Sequence, residues 1–331
     1  MRAMSQVRRI AVWLGPHQAA FVQAVAGSAG CVVTHAGAPD VGRSGDVSVA
    51  LGAEPFDDLR AAAATLDVEA FWLAAPMGLP DERAEARLTD ELIARGVRCV
   101  TTEPHPASAP GLAVYAPPGM VGLPASAEPW TRLAEVRREF SPVRMMHART
   151  WARPEAGSLG ARLVGVLDLV RAVLGEPESV DAVYVGPRAA SGLHAAPPDT
   201  LRDLHGDMAA TLRYPAAAAV VEASDAAPRW EFSATLMSAK GRLHVTDTGW
   251  EWLGQDGNVV DAHRPATRRA AAPKADPAVT WHAASLRAAL AAPPGVQGDH
   301  APALVMAHAA LLAARTGQPE SPDMIRRLAG V

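Results

Sequence analysis

Short apolar runs alternate with helical patterns over the first hundred residues. The apolar runs have the length of buried strands and read RRIAVWLG, CVVTHAG, VEAFWLAAP and VRCVTT. Between them, apolar residues recur at helical spacing in PHQAAFVQAVAG, FDDLRAAAATL and LPDERAEARLTDELIARG. This alternation of strands and helices predicts a doubly wound parallel sheet with right-handed crossovers.

The second half of the chain has a different pattern, in which strand-like segments follow one another with turn signals between them. These segments are SVDAVYVG, MAATLRYPAAAAVVEAS and WEFSATLMSAKGRLHVTDTGWEWLGQDGNVV. Turns are indicated at Lys240-Gly241 and Asp256-Gly257. We predict an α/β protein with two domains, a parallel-sheet domain over 1–120 and an α/β domain with a large open, mainly antiparallel sheet over 121–331.

Composition and charge narrow the class of protein. Apolar residues make up 49% of the chain and charged residues 20%, as in a soluble globular protein. The net charge of −4 without a basic block argues against a nucleic acid partner. No apolar run is long enough to span a membrane, and the first residues lack a signal-peptide pattern. Cys31 and Cys99 lie in apolar runs, so we expect buried thiols in a cytoplasmic protein.

Several phrases, in their order and spacing, resemble the Gfo/Idh/MocA oxidoreductases, the relatives of glucose–fructose oxidoreductase and inositol dehydrogenase. The phrases are VEAFWLAAP with the following helix and TTEP, LDLVRAVLGEPESVDAVYV, SAKGRLHV, and AHAALLAARTGQPES. The resemblance implies a Rossmann-like domain followed by a substrate and oligomerisation domain. It also implies hydride transfer between NAD or NADP and a sugar-like or cyclitol ligand. A homodimer through the C-terminal sheet is expected, with Trp250 or Trp252 in or near the contact, on a face that also carries Trp230 and Phe232.

The resemblance places the cofactor at the ends of the first strands. The candidate cofactor-binding residues are Gly15, His17, Gln18, Ala75, Pro76 and Glu103. The turn after the first strand keeps the first glycine of the family pattern, but His17 replaces the middle glycine, where backbone should approach the pyrophosphate. An acidic residue for the ribose is also missing from the end of the second strand, which offers His35 and then Asp40. Both departures oppose dinucleotide binding.

The catalytic positions of the family also differ here. The family ends its strand with Glu-Lys-Pro, whereas this chain reads TTEPHP and has lysine only at positions 240 and 274. The family's Asp-x-x-x-His falls on Ala161 and Gly165, neither of which transfers protons, and Asp168 is expected to be a structural residue of the helix. The candidate catalytic residues that remain are Glu103 and His105.

Two functional hypotheses follow. In the first, the chain has lost hydride transfer and acts as a binding or scaffold subunit. In the second, it is an active NAD(P)-dependent oxidoreductase that uses replacement groups such as Glu103, His105 or His147. A third and more distant hypothesis is an enzyme of another class, such as an aldol-type lyase or a hydrolase. His194, His205 and Asp207 lie close together, but their spacing matches no ligand signature and no metal is expected.

Overall fold

The structure is a computed structural model that describes residues 7–40, 42–114, 117–187, 196–264, 276–293 and 300–331. His194 and Lys274 lie outside the described residues. The strands are β1 (Arg8–Trp13), β2 (Cys31–Gly37), β3 (Glu54–Pro55), β4 (Ala70–Leu73), β5 (Arg98–Thr101), β6 (Gly119–Met120), β7 (Val143–Trp151), β8 (Ser179–Val185), β9 (Asp207–Arg213), β10 (Ala218–Ser224), β11 (Glu231–Ser238), β12 (Gly241–Thr246), β13 (Trp250–Leu253) and β14 (Val259–His263). The helices are α1 (Ala19–Ala29), α2 (Ser44–Leu51), α3 (Leu59–Thr65), α4 (Glu82–Ala94), α5 (Ala134–Phe140), α6 (Leu159–Leu174), α7 (Pro277–Ala291), α8 (Ala301–Thr316) and α9 (Pro322–Ala329).

The first sheet has six strands in the order β3-β2-β1-β4-β5-β6, and every neighbouring pair is parallel. The chain moves outward from β1 in one direction and, after β3, returns to β4 on the other side of β1. The carboxyl ends of β1 and β4 therefore flank the switch point at which open α/β sheets bind ligands. The doubly wound parallel sheet is confirmed, although the apolar pattern did not predict α2 or the two-residue strand β3.

The second sheet has eight strands in the order β14-β13-β12-β11-β7-β10-β9-β8. All neighbouring pairs are antiparallel except β7 and β10, which run parallel. The expected large and mainly antiparallel sheet is therefore confirmed.

One face of this second sheet is covered by α6 and α8, which pack together. Met146 and Ala148 of β7 point into this core and are fully buried. Because side chains alternate along a strand, Met145 and His147 point to the opposite, open face.

Three large aromatic residues of the second sheet belong to the core. Trp230, Phe232 and Trp252 are buried, and Trp252 packs edge-on against Phe140 with ring centroids 5.5 Å apart. The expectation that they face a second subunit is wrong, because Trp252 packs on Phe140 of α5, and Trp230 and Phe232 pack on Trp281 of α7. Trp250 is half-buried and stacks on His263 at 4.7 Å.

A homodimer through the C-terminal sheet stays a prediction, and the half-buried Trp250 remains a candidate for the contact. Among the described residues, the exposed apolar side chains on the open face of this sheet include Met145, Val183, Val185 and Met237.

The helix α7 follows the second sheet in sequence but packs against the first. Leu286 and Leu290 of α7 lie in the same core cluster as Ile10 and Val12 of β1. The two halves of the chain are therefore joined by a shared core. Cys31 and Cys99 are buried free thiols as expected, and burial raises the pKa of Cys99 to about 12.

Within the described ranges, every helix is too short or too polar to cross a membrane.

Candidate functional site

Glu103 lies two residues beyond the end of β5 and is only 5% exposed. Its Oε1 accepts a hydrogen bond from the backbone N–H of Ser158 at 3.1 Å, and the Ser158 hydroxyl donates to Oε2. Ser158 is the N-cap of α6, and its Oγ accepts from the N–H of Ala161 at 3.2 Å. Glu103 thus connects the segment that follows the carboxyl end of β5 to the first turn of α6.

A second buried carboxylate, Asp225, follows β10 and lies at the same helix end. Its Oδ2 accepts from the backbone N–H of Leu159 at 3.1 Å, and its Oδ1 accepts from the N–H of Gly206 at 2.7 Å. Two carboxylates therefore satisfy N–H groups that a helix leaves unpaired at its start. Both also lie at the positive end of the α6 dipole, where negative charge is favoured.

Arg162, one turn into α6, supplies the opposing charge. Its side chain is buried, and burial lowers its pKa to about 10, although the charges of Glu103 and Asp225 act in the opposite direction. The guanidinium therefore stays charged at neutral pH. Arg162 interrupts an otherwise apolar segment of α6, and the negative charges of the two carboxylates compensate its buried positive charge.

The Arg162 guanidinium is also fixed on its other sides. Its Nη2 donates to the carbonyl oxygen of Ala156 and, at 3.2 Å, to Nε2 of His282. Burial and the Arg162 charge lower the pKa of His282 to about 3, so this ring is neutral and donates through Nδ1 to the Ala278 carbonyl at 2.8 Å. The Cζ atom of the guanidinium lies over the ring of Trp230, 5.2 Å from its centroid.

We refer to Glu103, Ser158, Arg162, His205 and Asp225 as the junction cluster. Burial raises the pKa of Glu103, while the two hydrogen bonds from Ser158 and the Arg162 charge oppose that shift. The flanking prolines offer no N–H to this carboxylate, but Ser158, 55 residues away, does. Both oxygens of Glu103 are thus occupied by protein donors, an arrangement that holds a helix in place.

His205 is the accessible member of the junction cluster. Its side chain is 52% exposed, and its Nδ1 donates to Oδ2 of Asp225 at 2.6 Å. The hydrogen bond to Asp225 raises the pKa of His205. This geometry fixes the ring tautomer with Nε2 as the remaining acceptor, as in a histidine oriented for proton transfer.

The raised pKa of His205 makes folding stability depend on pH. A histidine with a raised pKa stabilises the fold fully below its unfolded value of about 6.5, and this contribution is lost as the pH rises through the folded value. We expect urea unfolding between about pH 5.5 and 9 to show this loss in the wild type and not in His205→Gln. Because the ring is half exposed, the difference should stay below about 1 kcal/mol.

The matched control is His17→Gln, a change at an exposed histidine outside the junction cluster, which should keep the wild-type profile. Identical pH profiles for the wild type and His205→Gln would contradict the assigned contact between His205 and Asp225.

His105 belongs to a different network. Its side chain is fully buried, with Nδ1 at 3.3 Å from Oε2 of Glu85 on α4, and Arg202 donates to the same carboxylate oxygen at 2.7 Å. Burial acts to raise the pKa of Glu85, but the hydrogen bonds from His105 and Arg202 and the electrostatic effect of these residues lower it overall. The structure therefore does not bring the two candidate catalytic residues Glu103 and His105 into one site.

The other sequence candidates are also separated from Glu103. His147 lies on the open face of the second sheet, 3.3 Å from Glu222. Asp168 accepts from Arg171 one turn further along α6. At Gly165, an added Cβ would lie 3.2 Å from Pro124, so that proline occupies the space where a histidine side chain would begin.

The turn after β1 is closed by its own side chains. The N–H of Gly15 donates to Oε1 of Gln18 at 2.9 Å, and the N–H of Gln18 donates back to the Gly15 carbonyl at 2.9 Å. Gln18 Nε2 donates to the carbonyl of Ala74 at 2.9 Å, and the His17 ring covers Gly15. Pyrophosphate binding needs free N–H groups at this turn, whereas here the N–H groups of Gly15 and Gln18 are used within the protein.

The end of β2 is similarly filled. A Cβ added at Gly37 would lie 2.6 Å from Phe56, whose ring stacks on Trp13 with centroids 5.6 Å apart. The Trp13 indole donates to the carbonyl of Pro76 at 3.0 Å, and the N–H of Ala75 donates to the Trp13 carbonyl. An acidic side chain that could hold a ribose has no room here. Among the candidate cofactor residues, Gly15, Gln18, Ala75 and Pro76 therefore make hydrogen bonds within the protein.

Sequence reasoning missed Ser158, Arg162 and Asp225, and it considered His205 only as a metal ligand. An N-cap serine before an apolar helix and an arginine inside that helix were the available signals. Nothing local in the sequence indicates Asp225, which reaches the site from the second sheet. Across the described residues, no group of three or more His, Cys, Asp or Glu side chains is arranged to hold a metal ion.

Comparison with known proteins identifies the fold of this chain but does not assign it to a sequence family. No protein-family model matches the chain, and no curated protein is significantly similar to it in sequence. A levoglucosan dehydrogenase in complex with NADH and levoglucosan has a similar structure, with a TM-score of 0.68 at 10% identity, covering 96% of this chain and 99% of that one. The myo-inositol 2-dehydrogenase from Lactobacillus plantarum gives a TM-score of 0.66 at 13% identity, covering 96% and 99%.

GenD2 from gentamicin A biosynthesis, in complex with NAD, gives a TM-score of 0.65 at 16% identity, covering 96% of this chain and 97% of that one. At such low sequence identity, these structural similarities show only that the folds are alike. The chain therefore has the fold of these dehydrogenases, with a six-stranded parallel sheet and a second, mainly antiparallel sheet of eight strands.

Proposed function

We propose that this protein has lost nicotinamide-dependent hydride transfer and acts as a small-molecule-binding protein on a dehydrogenase fold. The turn after β1 carries this proposal. The Gln18 side chain occupies this turn, where its Oε1 accepts from the N–H of Gly15 and its Nε2 donates to the carbonyl of Ala74. The N–H of Gly15 therefore has a partner without a bound phosphate. A dinucleotide would have to break these hydrogen bonds and displace the His17 ring.

The chemistry at the domain junction supports the same conclusion. Oxidation of an alcohol needs a base that accepts the hydroxyl proton while the hydride leaves. Both oxygens of Glu103 accept hydrogen bonds from Ser158, and His105 is fully buried in contact with Glu85. In this arrangement Glu103 and Asp225 hold the start of α6, and Arg162 balances their charge. The junction cluster fixes the two domains relative to each other instead of transferring protons.

A second candidate function is supported by the contact between His205 and Asp225. A half-exposed imidazole oriented through Nδ1 by a buried carboxylate has the geometry of a general base. It would serve in an active NAD(P)-dependent oxidoreductase that takes a sugar-like or cyclitol substrate, as the names of the similar structures suggest. Measuring NAD(P) binding distinguishes the two candidate functions, because only the oxidoreductase requires the cofactor.

We expect NADH and NADPH to bind no more tightly than about millimolar, a free energy near −4 kcal/mol, in calorimetric titrations of the purified protein. His17→Gly and Gln18→Ala each open one part of the turn. Neither change alone should bring the dissociation constant into the micromolar range, because Phe56 still packs on Gly37.

The levoglucosan dehydrogenase, titrated in parallel, is the positive control for cofactor binding. Micromolar binding of NADH to the wild-type chain would contradict the proposed function. So would NAD-dependent oxidation of levoglucosan or myo-inositol, and loss of that turnover in His205→Gln would assign the base.

A further inference from the structure

The open face of the second sheet, opposite the face that α6 and α8 cover, carries its side chains in rows that cross neighbouring strands. Two of these rows differ in charge and lie about 20 Å apart along the strands. The basic row, at paired positions of β9, β10, β7, β11 and β12, consists of Arg213, Ala218, Met145, Met237 and Arg242. The acidic row, at paired positions of β9, β10, β7 and β11, consists of Asp207, Ser224, Trp151 and Glu231.

The charges at the two ends of this face are available to a partner. Arg213, Arg242 and Asp207 are exposed, and among the described residues none of the three takes part in an ion pair. Glu231 is already paired with Arg149. The basic row therefore has two unpaired cations, whereas the acidic row has one unpaired carboxylate, Asp207.

Large apolar side chains on the same face remain in contact with water. Met145 and Met237 lie directly opposite each other on β7 and β11 and are 44% and 48% exposed. At the other end of the face, Val183 and Val185 of β8 are 66% and 43% exposed. Eight strands spaced about 4.8 Å apart, over about 20 Å of their length, give a face of roughly 700 Å². Each partner in a stable interface contributes about 800 Å², so the face is large enough for a second copy of the chain.

The charges select one orientation of two facing copies. When two sheets pack in the aligned mode, their strand directions stay within about 30° of each other, so the strands of a symmetric pair run either parallel or antiparallel. With parallel strands, each row would lie on its own counterpart, and Arg213 would face Arg242 of the partner subunit. With antiparallel strands, the basic row lies on the acidic row, which places Arg213 opposite Asp207 of the partner subunit. Only the antiparallel orientation brings opposite charges together.

We propose that two copies of this chain pair through their open faces with antiparallel strands, so that the basic row of each copy contacts the acidic row of the other. The central positions of the rows then also match. Met145 lies opposite Trp151 of the partner subunit, and a thioether sulfur packs favourably on an aromatic ring. The pairing is symmetric, so the contact between Arg213 and Asp207 occurs twice. Within one chain these two side chains are about 20 Å apart on β9, so they can meet only between copies.

The test mixes two charge-reversed variants of the full-length protein, Arg213→Glu and Asp207→Arg. Alone, each variant brings like charges together twice in a dimer, and we expect its dissociation constant in sedimentation equilibrium to rise at least about tenfold over the wild type. In an equimolar mixture, a heterodimer restores opposite charges at both contacts, so the dissociation constant should return to within about threefold of the wild-type value. Native mass spectrometry should show the heterodimer as the main dimer of that mixture. This recovery also shows that both variants are folded.

Arg60→Glu, which makes the same charge reversal at an exposed position on α3, is the matched control and should keep the wild-type dissociation constant. A wild type that is monomeric at tens of micromolar overturns the proposal, and so does a mixture that associates no more tightly than its separate components. Unchanged association of either single variant contradicts it as well. Tighter association of Arg213→Glu alone would indicate parallel strands and equally overturn it. These measurements contain no cofactor or small-molecule ligand, so their outcome is independent of the proposed function as a binding protein.

Discussion

Glu103→Ala should destabilise the protein by about 3–5 kcal/mol, which is the cost of leaving a buried charge without its partner. Arg162 is buried, and the charges of Glu103 and Asp225 both favour its charged form, so alanine at position 103 removes one of these two charges. The same change leaves the N–H and hydroxyl of Ser158 without an acceptor at the start of α6. Urea unfolding followed by circular dichroism measures the loss.

Glu103→Gln separates the charge from the hydrogen bonds. The amide oxygen can still accept from the Ser158 N–H, and the amide nitrogen can donate to the Ser158 hydroxyl, so a smaller loss than in Glu103→Ala is expected. Glu91→Ala, at an exposed position on α4, is the control and should change stability by about 0.5 kcal/mol or less. A loss in Glu103→Ala as small as in this control would refute the structural role of Glu103.

Gly160→Ala should be the most damaging small change in α6. A Cβ at this position would lie 1.9 Å from the carbonyl oxygen of Leu201, so either the helix or the loop must move. Clashes with backbone in a packed core cost several kcal/mol, and we expect a loss of about 3 kcal/mol or more in the same unfolding assay. The loop also carries His205, so the pH-dependent part of the stability should be lost with it.

Gly27→Ala on α1 is the matched control because it makes the same substitution in a helix with open space around it. It should stabilise the protein by about 0.5–1 kcal/mol, since alanine favours a helix over glycine. The two glycine variants should therefore shift stability in opposite directions. Equal effects of Gly160→Ala and Gly27→Ala would contradict the close approach of α6 to Leu201.

The architecture could be predicted because the spacing of apolar residues within each segment is typical of either a strand or a helix. The β1, β4 and β5 segments are apolar runs of strand length, and α4 begins at an N-cap aspartate, so local patterns were sufficient. The helix α2 was missed because SGDVSVAL is short and weakly amphipathic. The orientation of Trp252 was wrong because alternation identifies two faces of a strand without indicating which face a helix covers.

The site was less predictable because its partners are far apart in sequence. Glu103 was predicted as a catalytic and cofactor-binding candidate, but the hydrogen bonds that it makes come from Ser158, 55 residues later. His105 lies two residues from Glu103, yet it faces Glu85 in another network. Local spacing identifies residues at strand ends, whereas the contacts that decide between proton transfer and helix capping come from the tertiary fold.

The shared core of β1 and α7 has a consequence for synthesis of the chain. The first sheet is complete in sequence once Met120 has been made, but Leu286 and Leu290 cover part of that sheet's core. At translation rates of about 5–20 residues per second, the intervening segment takes roughly 8–30 s to emerge. During this interval the nascent N-terminal half exposes apolar side chains such as those around Val22 and Val25. Folding of the first domain can therefore finish only near the end of translation, and a ribosome stalled before α7 would present an aggregation-prone intermediate to chaperones.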